Sequence, residues 1–429
     1  MGMNNTPASD RIHIGFFGKR NAGKSSVLNA VTGQNLAVVS DVKGTTTDPV
    51  YKAMELLPLG PVMMIDTPGI DDEGELGALR MKKSYQVLNK TDVAVLVVDG
   101  TAGLSREDEE LLCKIREKKI PCAIAWNKAD MEKAGETEGT ERTGLETGTA
   151  GGEENAAGCS AEPGVLDGIP VLPVSAVTKE GIRELKECLA RLGQTEENDL
   201  RIVGDLLSPM DFVVLVVPID KAAPKGRLIL PQQQTIRDVL ETGATAVVVR
   251  DSELKETLEG LGKKPKMVIT DSQAFGRVSA DTPEDILLTS FSILFARYKG
   301  ELEPMVEGVR ALDEIRDGDK ILVSEGCTHH RQCDDIGTVK LPRWIREYTG
   351  KEPEFVFTSG TEFPDDVTEY KMIVHCGACM LNEREVKYRM KCAKDQGVPM
   401  TNYGITIAYI HGILKRSLEP FPQIEALLE

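Results

Sequence analysis

The chain is short of positive charge. Its 429 residues include 51 lysines and arginines against 68 aspartates and glutamates, which gives a formal net charge of −17. A protein whose main task is to grip nucleic acid needs clustered lysine and arginine to neutralise phosphates. The composition therefore argues against that task, and we expect no nucleic-acid partner.

Long apolar runs are also missing. No run approaches the ~20 apolar residues that span a bilayer, and the stretch 1–11 has no apolar segment of the kind that a signal peptide needs. We therefore expect a cytoplasmic protein without a membrane partner. The apolar content of 41% suffices for ordinary globular cores, and a chain of this length is expected to form about three domains.

Histidine is scarce, yet it is concentrated near thiols. The chain has five histidines, and three of them fall in the segments 327–330 (Cys-Thr-His-His) and 375–379 (His-Cys-Gly-Ala-Cys). Thiolate and imidazole hold zinc or an iron–sulfur cluster, and both sulfurs of a Cys-x-x-Cys turn can reach one metal centre. The pattern predicts a metal site.

Three cysteines are the predicted ligands of this site: Cys327, Cys376 and Cys379. Candidates for a fourth position are His329 and His375. Cys333, in the same loop as His329, is ambiguous. The alternative interpretation is a buried thiol at Cys327 and a redox pair at Cys376 and Cys379, but a redox pair does not require a matching Cys-x-His segment elsewhere.

A phosphate-binding loop is predicted near the start of the chain. The segment 18–25 reads Gly-Lys-Arg-Asn-Ala-Gly-Lys-Ser and follows the strand-like segment 11–17, which is the context that this motif requires. Backbone N–H groups would wrap the β-phosphate, Lys24 would reach the β- and γ-phosphates, and Ser25 would ligate Mg²⁺. The residues predicted to bind nucleotide here are Gly18, Asn21, Ala22, Gly23, Lys24, Ser25 and Ser26.

Two further segments predict the hydrolytic machinery. The hydroxyl-rich segment 44–49 supplies Thr46 as a second Mg²⁺ ligand, and the apolar strand 62–66 ends in Asp66, followed by Gly69. Asp66 would hold the water shell of Mg²⁺ while the N–H of Gly69 contacts the γ-phosphate. The residues predicted to take part in hydrolysis are Lys24, Ser25, Thr46, Asp66 and Gly69.

The base of the nucleotide is predicted to be guanine. The segment 127–130 reads Asn-Lys-Ala-Asp and follows an apolar strand. The Asp130 carboxylate can accept hydrogen bonds from guanine N1 and N2, which adenine cannot donate. Asn127, Lys128, Ser175 and Ala176 would complete the base pocket. Together these motifs resemble the small GTP-binding proteins, which implies a Ras-like P-loop GTPase domain over 11–193, with 131–168 as a flexible surface insertion.

Two residues bear on the rate of hydrolysis. Ile70 occupies the position where many such GTPases carry a water-orienting glutamine, so we expect slow intrinsic hydrolysis. Asn21 and the Gly-Thr-Thr segment resemble the dimerising, potassium-stimulated branch typified by tRNA-modification GTPases, which implies that Asn21 binds K⁺. The match is partial because that branch has Arg where this chain has Thr47.

Two α/β segments follow the GTPase domain. The segment 199–262 reads strand–helix–strand, and we expect a dimerisation domain that makes the protein a homodimer; a linker domain packed within one chain is the alternative. In the segment 265–429 we expect a helix from 282 to 298 and parallel strands at 320–324 and 370–374. These strands would carry the metal-binding loops to one edge of a sheet, where a helix starting at Asn382 would help to keep the thiols ionised.

The order of these features resembles the HydF family of [FeFe]-hydrogenase maturation GTPases. The resemblance rests on a GTP-binding domain followed by C-x-H and H-C-x-x-C, and on the segment 230–234 (Leu-Pro-Gln-Gln-Gln). It implies a C-terminal α/β iron–sulfur cluster-binding domain that holds a [4Fe-4S] cluster through the three cysteines, with a fourth iron position open or occupied by a histidine or a nearby carboxylate.

The resemblance also implies a function and partners. The protein would be a scaffold or carrier that receives a diiron precursor from the radical-SAM maturases HydE and HydG and delivers it to the apo-hydrogenase HydA. GTP hydrolysis would regulate association with partners. The alternative is a tRNA- or ribosome-directed GTPase with a structural zinc or a redox-sensing cluster.

Overall fold

The structure is a computed structural model with two compact units, Met1–Glu197 and Asn198–Glu429. It describes residues 6–33, 49–70, 74–131, 164–194, 201–219, 228–326, 335–360 and 362–428. Several predicted residues and segments therefore lie outside the described residues: Thr46, Thr47, most of the 131–168 insertion, Cys327, His329 and Cys333.

The first unit contains a seven-stranded sheet in the order β2-β3-β1-β4-β5-β7-β6. Its strands are β1 (Ile12–Phe17), β2 (Val50–Leu56), β3 (Gly60–Asp66), β4 (Val93–Asp99), β5 (Cys122–Asn127), β6 (Val165–Leu166) and β7 (Ile169–Pro173). Neighbouring strands are parallel except for the pairs β2–β3 and β6–β7. Four helices lie among the described residues of this unit: Lys24–Thr32, Gly74–Asn89, Arg106–Glu117 and Ile182–Leu192.

The central strands of this sheet are apolar throughout because both faces are covered. Residues Val93 to Val98 are all buried, as expected of a parallel sheet between helices, and separate apolar cores lie on its two faces. Because parallel strands end at one edge, the segments that follow β1, β3, β4, β5 and β7 meet there.

The second unit begins with a four-stranded parallel sheet in the order β11-β10-β8-β9. Its strands are β8 (Phe212–Val216), β9 (Thr245–Val249), β10 (Met267–Thr270) and β11 (Leu287–Ser290). Met267 pairs with Val213, so the domain boundary expected between 262 and 265 falls inside this sheet. The middle region therefore extends at least to Ser290.

The helix expected from 282 to 298 begins later than predicted. Residues Leu287–Ser290 form β11, and the helix runs from Phe291 to Lys299 with Ser290 as its N-cap, whose side chain accepts from Ile293 N at 3.2 Å. The Thr-Pro-Glu-Asp segment has the composition of a helix start, but pairing of Leu287 with Met267 makes the following residues a strand.

A second parallel sheet in this unit has the order β13-β12-β14-β15. Its strands are β12 (Lys320–Glu325), β13 (Glu354–Ser359), β14 (Met372–His375) and β15 (Met400–Asn402). The adjacent strands β12 and β14 are those expected to carry the metal-binding loops, and Ser324 pairs with His375 in their register. The prediction that both loops follow neighbouring parallel strands therefore agrees with the structure.

One large apolar core joins the two sheets of this unit, and residues of the helix Phe291–Lys299 are part of it. The helices of the unit are Leu230–Glu241, Leu254–Gly260, Phe275–Asp281, Phe291–Lys299, Leu302–Gly308, Leu341–Thr349, Glu383–Asp395, Tyr403–Ile410, Leu414–Ser417 and Pro422–Glu425. Within the ranges that the structure describes, no helix of the chain combines the length and apolar character needed to cross a bilayer.

Candidate nucleotide and metal sites

The phosphate-binding loop has the backbone conformation of an anion cradle. Gly18, Asn21 and Gly23 have positive φ angles of 139°, 64° and 90°, and the helix Lys24–Thr32 begins directly after Gly23. A Cβ on Gly23 would lie 2.2 Å from Nδ2 of Asn127, so a side chain has no room there. The first turn of this helix carries no acidic residue, which leaves its positive end available to a phosphate.

Lys24 lies inside this loop. It is 8% exposed, and its Nζ donates to the carbonyl oxygens of Gly18 at 3.0 Å and Lys19 at 2.7 Å. These bonds hold the ammonium against the loop that would surround the phosphates. The position fits the predicted role of Lys24 in neutralising phosphate charge.

The predicted magnesium ligands meet at the ends of two elements. Ser25 Oγ donates to Oδ2 of Asp66 at 2.5 Å. Asp66 is 1% exposed, and its Oδ1 has no hydrogen-bond partner among the described residues. Burial raises the pKa of Asp66, although Ser25 and Lys24 oppose this shift. A buried carboxylate with an unused oxygen beside a hydroxyl fits Mg²⁺, which binds carboxylates together with waters and phosphate oxygens.

Gly69 and Ile70 follow the same strand. A Cβ on Gly69 would lie 3.0 Å from the backbone nitrogen of Arg20, so this residue lies directly against the phosphate-binding loop. The side chain of Ile70 is 4% exposed and packs in the apolar core. It offers no polar group to orient a water molecule.

Asn127 connects the phosphate loop to the segment predicted to read the base. Its Nδ2 donates to Ala22 O at 2.9 Å, and its Oδ1 accepts from the backbone N–H of Ala176 at 3.2 Å. Lys128 pairs with Asp99 across 2.5 Å. The residues predicted for nucleotide binding therefore come from the ends of several neighbouring strands and lie at one edge.

The second candidate site lies where β12 and β14 end. The backbone N–H of Gly326, the last described residue before Cys327, donates to Sγ of Cys376 at 3.0 Å. The N–H of Ala378 donates to the same sulfur at 3.4 Å. N–H donors of this kind stabilise a metal-bound thiolate. Cys376 is thus directed toward the segment that contains Cys327.

The thiols are not predisposed to ionise in the metal-free protein. Burial raises the pKa of Cys376 to about 11 and raises the pKa of Cys379 as well, although the charge of Lys299 opposes the shift at Cys379. The helix Glu383–Asp395 does start beside this loop, with Asn382 as its N-cap. Burial, the largest contribution, thus works against the expected effect of this helix on the thiols.

His375 is unsuited to be the fourth ligand in this conformation. It is 1% exposed, and both of its ring nitrogens are engaged. Nε2 lies 3.0 Å from Nη1 of Arg389, which can only donate, so the ring proton is on Nδ1 and is donated to Cys376 O at 2.8 Å. Burial, with the charge of Arg389, lowers the pKa of His375 to about 3. No lone pair remains for a metal.

Arg389 is a residue that the sequence analysis missed. Its guanidinium is fully buried and donates to Ser324 Oγ at 3.1 Å and to Glu385 Oε1 at 2.9 Å, in addition to His375. It therefore joins the ends of β12 and β14. Helical spacing offers a signal, because Arg389 shares a buried face with Val386 and Ala393.

The donor set fits an iron–sulfur cluster as far as it is described. Cys376 and Cys379 are free, partly exposed thiols at the carboxyl edge of the sheet. No group of three potential ligands suited to a metal occurs among the described residues, and Cys327 and His329 lie outside them. Cys392, in the helix Glu383–Asp395, is partly exposed, and its Sγ accepts from Gln396 Nε2 at 3.2 Å.

Comparison with known protein families gives three matches. Residues 13–128 match the 50S ribosome-binding GTPase model. Residues 202–300 match the hydrogen maturase F dimerization domain, and residues 303–420 match the hydrogen maturase F tetramerization domain. The last two matches together cover about half of the chain. The chain belongs to the hydrogen maturase F (HydF) family. Its matched regions are thus a GTPase domain, a dimerization domain and a tetramerization domain.

Curated relatives of the chain include tRNA modification GTPases and a GTPase Der. The chain is 37% identical to the tRNA modification GTPase MnmE of Desulforamulus reducens over 27% of its own length and 25% of the relative. It is 27% identical to MnmE of Heliobacterium modesticaldum over 64% of its length and 50% of the relative. It is 34% identical to GTPase Der of a Nitratiruptor species over 29% of its own length and 28% of the relative. The chain thus spans a quarter to a half of these relatives.

Similar solved structures include Era of Aquifex aeolicus and the cytosolic domain of the FeoB iron transporter of T. maritima. Era matches with 16% identity and a TM-score of 0.32, covering 63% of this chain and 99% of that one. FeoB matches with 22% identity and a TM-score of 0.30, and the match covers 43% of this chain and 65% of the FeoB chain.

Proposed function

We propose that this HydF-family GTPase is a scaffold that holds a [4Fe-4S] cluster and delivers a diiron precursor to an apo-[FeFe]-hydrogenase. The observation that carries the proposal is the hydrogen bond from Gly326, which precedes Cys327 in the sequence, to Sγ of Cys376, in a chain that matches both hydrogen maturase F domains. Cys327, Cys376 and Cys379 would hold the cluster. The cluster would supply an iron with a position that the protein does not fill.

The protein's own residues would provide a protected attachment point for the cargo. Arg389 would keep the strand ends at a fixed spacing, and the N–H groups of Gly326 and Ala378 would stabilise the Cys376 thiolate once a metal displaces its proton. Metal binding must release protons here, since the thiols are protonated in the free protein. The radical-SAM maturases HydE and HydG would supply the diiron precursor, and the apo-hydrogenase HydA would receive it.

GTP hydrolysis would regulate association with these partners and would not perform the cluster chemistry. Lys24 would neutralise the phosphates, Ser25 and Asp66 would hold Mg²⁺ and its water shell with Thr46, and the Gly69 N–H would contact the γ-phosphate. Asn127, Lys128, Asp130, Ser175 and Ala176 would form the guanine pocket. Because Ile70 offers no polar group, hydrolysis would be slow, with K⁺ bound by Asn21 as an accelerator. Equal rates in Na⁺ and K⁺ buffers would remove the potassium role.

A tRNA- or ribosome-directed GTPase is the second candidate. The match of residues 13–128 to a ribosome-binding GTPase model and the likeness to MnmE favour it. The net charge of −17 counts against RNA as a main partner. Salt-sensitive binding to tRNA or ribosomes would support this candidate.

The proposal is tested by measuring transfer of the diiron precursor from this protein to the apo-hydrogenase. Protein reconstituted without oxygen and incubated with the two maturases and their substrates is repurified and mixed with apo-hydrogenase. The wild type is expected to restore hydrogen evolution, the Cys376→Ala variant to fail, and the Cys392→Ala variant to behave as the wild type. Restoration by the Cys376→Ala variant, or failure of the wild type, would reject the delivery role.

A further inference from the structure

A buried lysine lies against the Cys-x-x-Cys loop. Lys299 is the last residue of the helix Phe291–Lys299 and is only 3% exposed. Its Nζ donates to Leu381 O at 2.8 Å and Cys379 O at 3.2 Å, and lies 3.5 Å from Ala378 O. All three carbonyl groups belong to the loop that presents Cys376 and Cys379, so one ammonium holds the backbone of that loop.

A charge at this position requires a reason. Removing an ammonium from water costs several kcal/mol, and well-packed apolar side chains often replace buried ions without loss of stability. The carbonyl groups, the end of its own helix and the ring of Phe295, whose centroid lies 5.7 Å from Nζ, offset part of this cost. An anionic group at the neighbouring thiols would offset more of it, because opposite charges attract strongly in a site of low dielectric constant.

Lys299 also connects two matched regions of the second unit. The helix Phe291–Lys299 belongs to the region that matches the dimerization domain, and the cysteine loop belongs to the region that matches the tetramerization domain. Near the start of the helix, Ser292 O accepts from Asn402 Nδ2 at 3.1 Å. The helix is therefore bonded to the second sheet near its start and to the cysteine loop at its end.

Building on the proposed cluster site, we propose that Lys299 is a positioning residue for the loop 376–381. Its hydrogen bonds keep the loop in the shape that presents Cys376 and Cys379 to one metal centre. Its charge stabilises the anionic cluster held by three thiolates.

Two substitutions separate geometry from charge. Lys299→Met removes the hydrogen bonds and the charge but keeps the length of the side chain, whereas Lys299→Gln keeps an N–H donor without charge. The matched control is Arg416→Met. Arg416 also donates to three backbone carbonyl groups of the same unit, those of Ser279, Thr282 and Pro283, at 3.1, 2.6 and 2.9 Å.

The first readout needs no cluster. Hydrogen–deuterium exchange of the metal-free full-length protein is compared among the wild type and the three variants. Lys299→Met is expected to speed exchange in the peptide 376–382 at least tenfold and to leave β12 and β14 protected. Arg416→Met is expected to leave that peptide unchanged, since its bonds lie elsewhere. Lys299→Gln is expected to fall between the wild type and Lys299→Met.

The second readout uses the reconstituted protein. Both Lys299 variants are expected to shift the reduction potential of the cluster to more negative values, because loss of a nearby positive charge favours the oxidised, less anionic state. Lys299→Met is also expected to retain less iron after gel filtration. The Arg416→Met control is expected to match the wild type in both measurements.

The outcomes separate the two proposals. If the wild type takes up no cluster, the proposed function fails, while the exchange experiment still decides the positioning role. Wild-type exchange in Lys299→Met, or an unchanged cluster potential in both Lys299 variants when the wild type does bind the cluster, would overturn the assignment. If both Lys299 variants misfold while Arg416→Met folds normally, Lys299 has a general folding role, and the assignment as a positioning residue is also overturned.

Discussion

The backbone N–H of Gly326 donates to Sγ of Cys376 across 3.0 Å. This bond joins the end of β12 to the end of β14, and Gly326 immediately precedes Cys327 in the sequence. Glycine is needed at this point because a Cβ would lie 2.7 Å from Cγ of Leu381. The contact holds Cys376 beside the end of β12.

Asp66→Asn is expected to stabilise the nucleotide-free protein. The folded-state pKa of Asp66 lies above its ordinary value of 3.8 because of burial. Below pH 3.8 the side chain is protonated in both states. Between pH 3.8 and the raised pKa the unfolded state ionises more readily, so the folded state loses stability, and the full loss persists above the raised pKa. Asparagine removes this penalty, so the unfolding temperature at pH 7 should rise.

The same variant should lose its response to magnesium. Wild-type protein is expected to gain thermal stability when Mg²⁺ and GDP are added together, and hydrolysis by Asp66→Asn should fall on the order of a hundredfold, as for loss of one strong electrostatic contact to the transition state. Differential scanning calorimetry with and without Mg²⁺ measures the gain in unfolding temperature for the wild type and the variant. A variant that is less stable than the wild type without nucleotide would contradict this account.

Lys24→Ala should impair the nucleotide site and leave the cluster site intact. Removing the buried ammonium is expected to lower GTP hydrolysis on the order of a hundredfold or more, while iron content after reconstitution stays at the wild-type level. The control is Arg106→Ala, whose exposed side chain pairs only with Glu110 on the same helix. Loss of iron binding in Lys24→Ala would mean that the sites are not independent.

His375→Gln tests whether this histidine is a ligand. Glutamine can still accept from Arg389, so we expect folding and iron content close to those of the wild type. Pulsed electron paramagnetic resonance of the reduced cluster should show the same strong ¹⁴N couplings, if any, in His375→Gln as in the wild type. His375→Ala leaves a buried guanidinium N–H unpaired and should lower the free energy of unfolding by about 1–3 kcal/mol. A strong coupling lost in His375→Gln would establish ligation.

Val248→Lys should weaken self-association. Among the described residues, β9 pairs only with β8, so its outer edge is available for pairing with a second copy. Val248 on this strand is 44% exposed. Sedimentation velocity is expected to show a shift toward a smaller species for Val248→Lys and none for Met210→Lys, since Met210 is 70% exposed away from this strand. An unchanged distribution would place the interface elsewhere.

The sequence predicted most features that depend on local pattern. Apolar segments identified β1, β3 and β5, and the motif residues that follow them lie at the expected edge. Parallel strands end at one edge, so the joining of residues far apart in sequence, such as Asn127 with Ala22, could also be anticipated.

The parts that depend on tertiary packing were not predictable. Burial reversed the expected effect on the pKa of Cys376, and Arg389 occupied the nitrogen of His375 that a metal would need. Lys299 is 80 residues before Cys379 in the chain, and no motif connects them. Pairing of Leu287 with Met267 converted an expected helix start into a strand.

The most direct test of the cluster site is electron paramagnetic resonance after anaerobic reconstitution and reduction, with iron counted per chain. The account predicts a [4Fe-4S] signal in the wild type and in Cys392→Ala. It predicts loss of that signal in Cys327→Ala, Cys376→Ala and Cys379→Ala. A colourless wild type that binds only zinc, or full signals in the three cysteine variants, would contradict it.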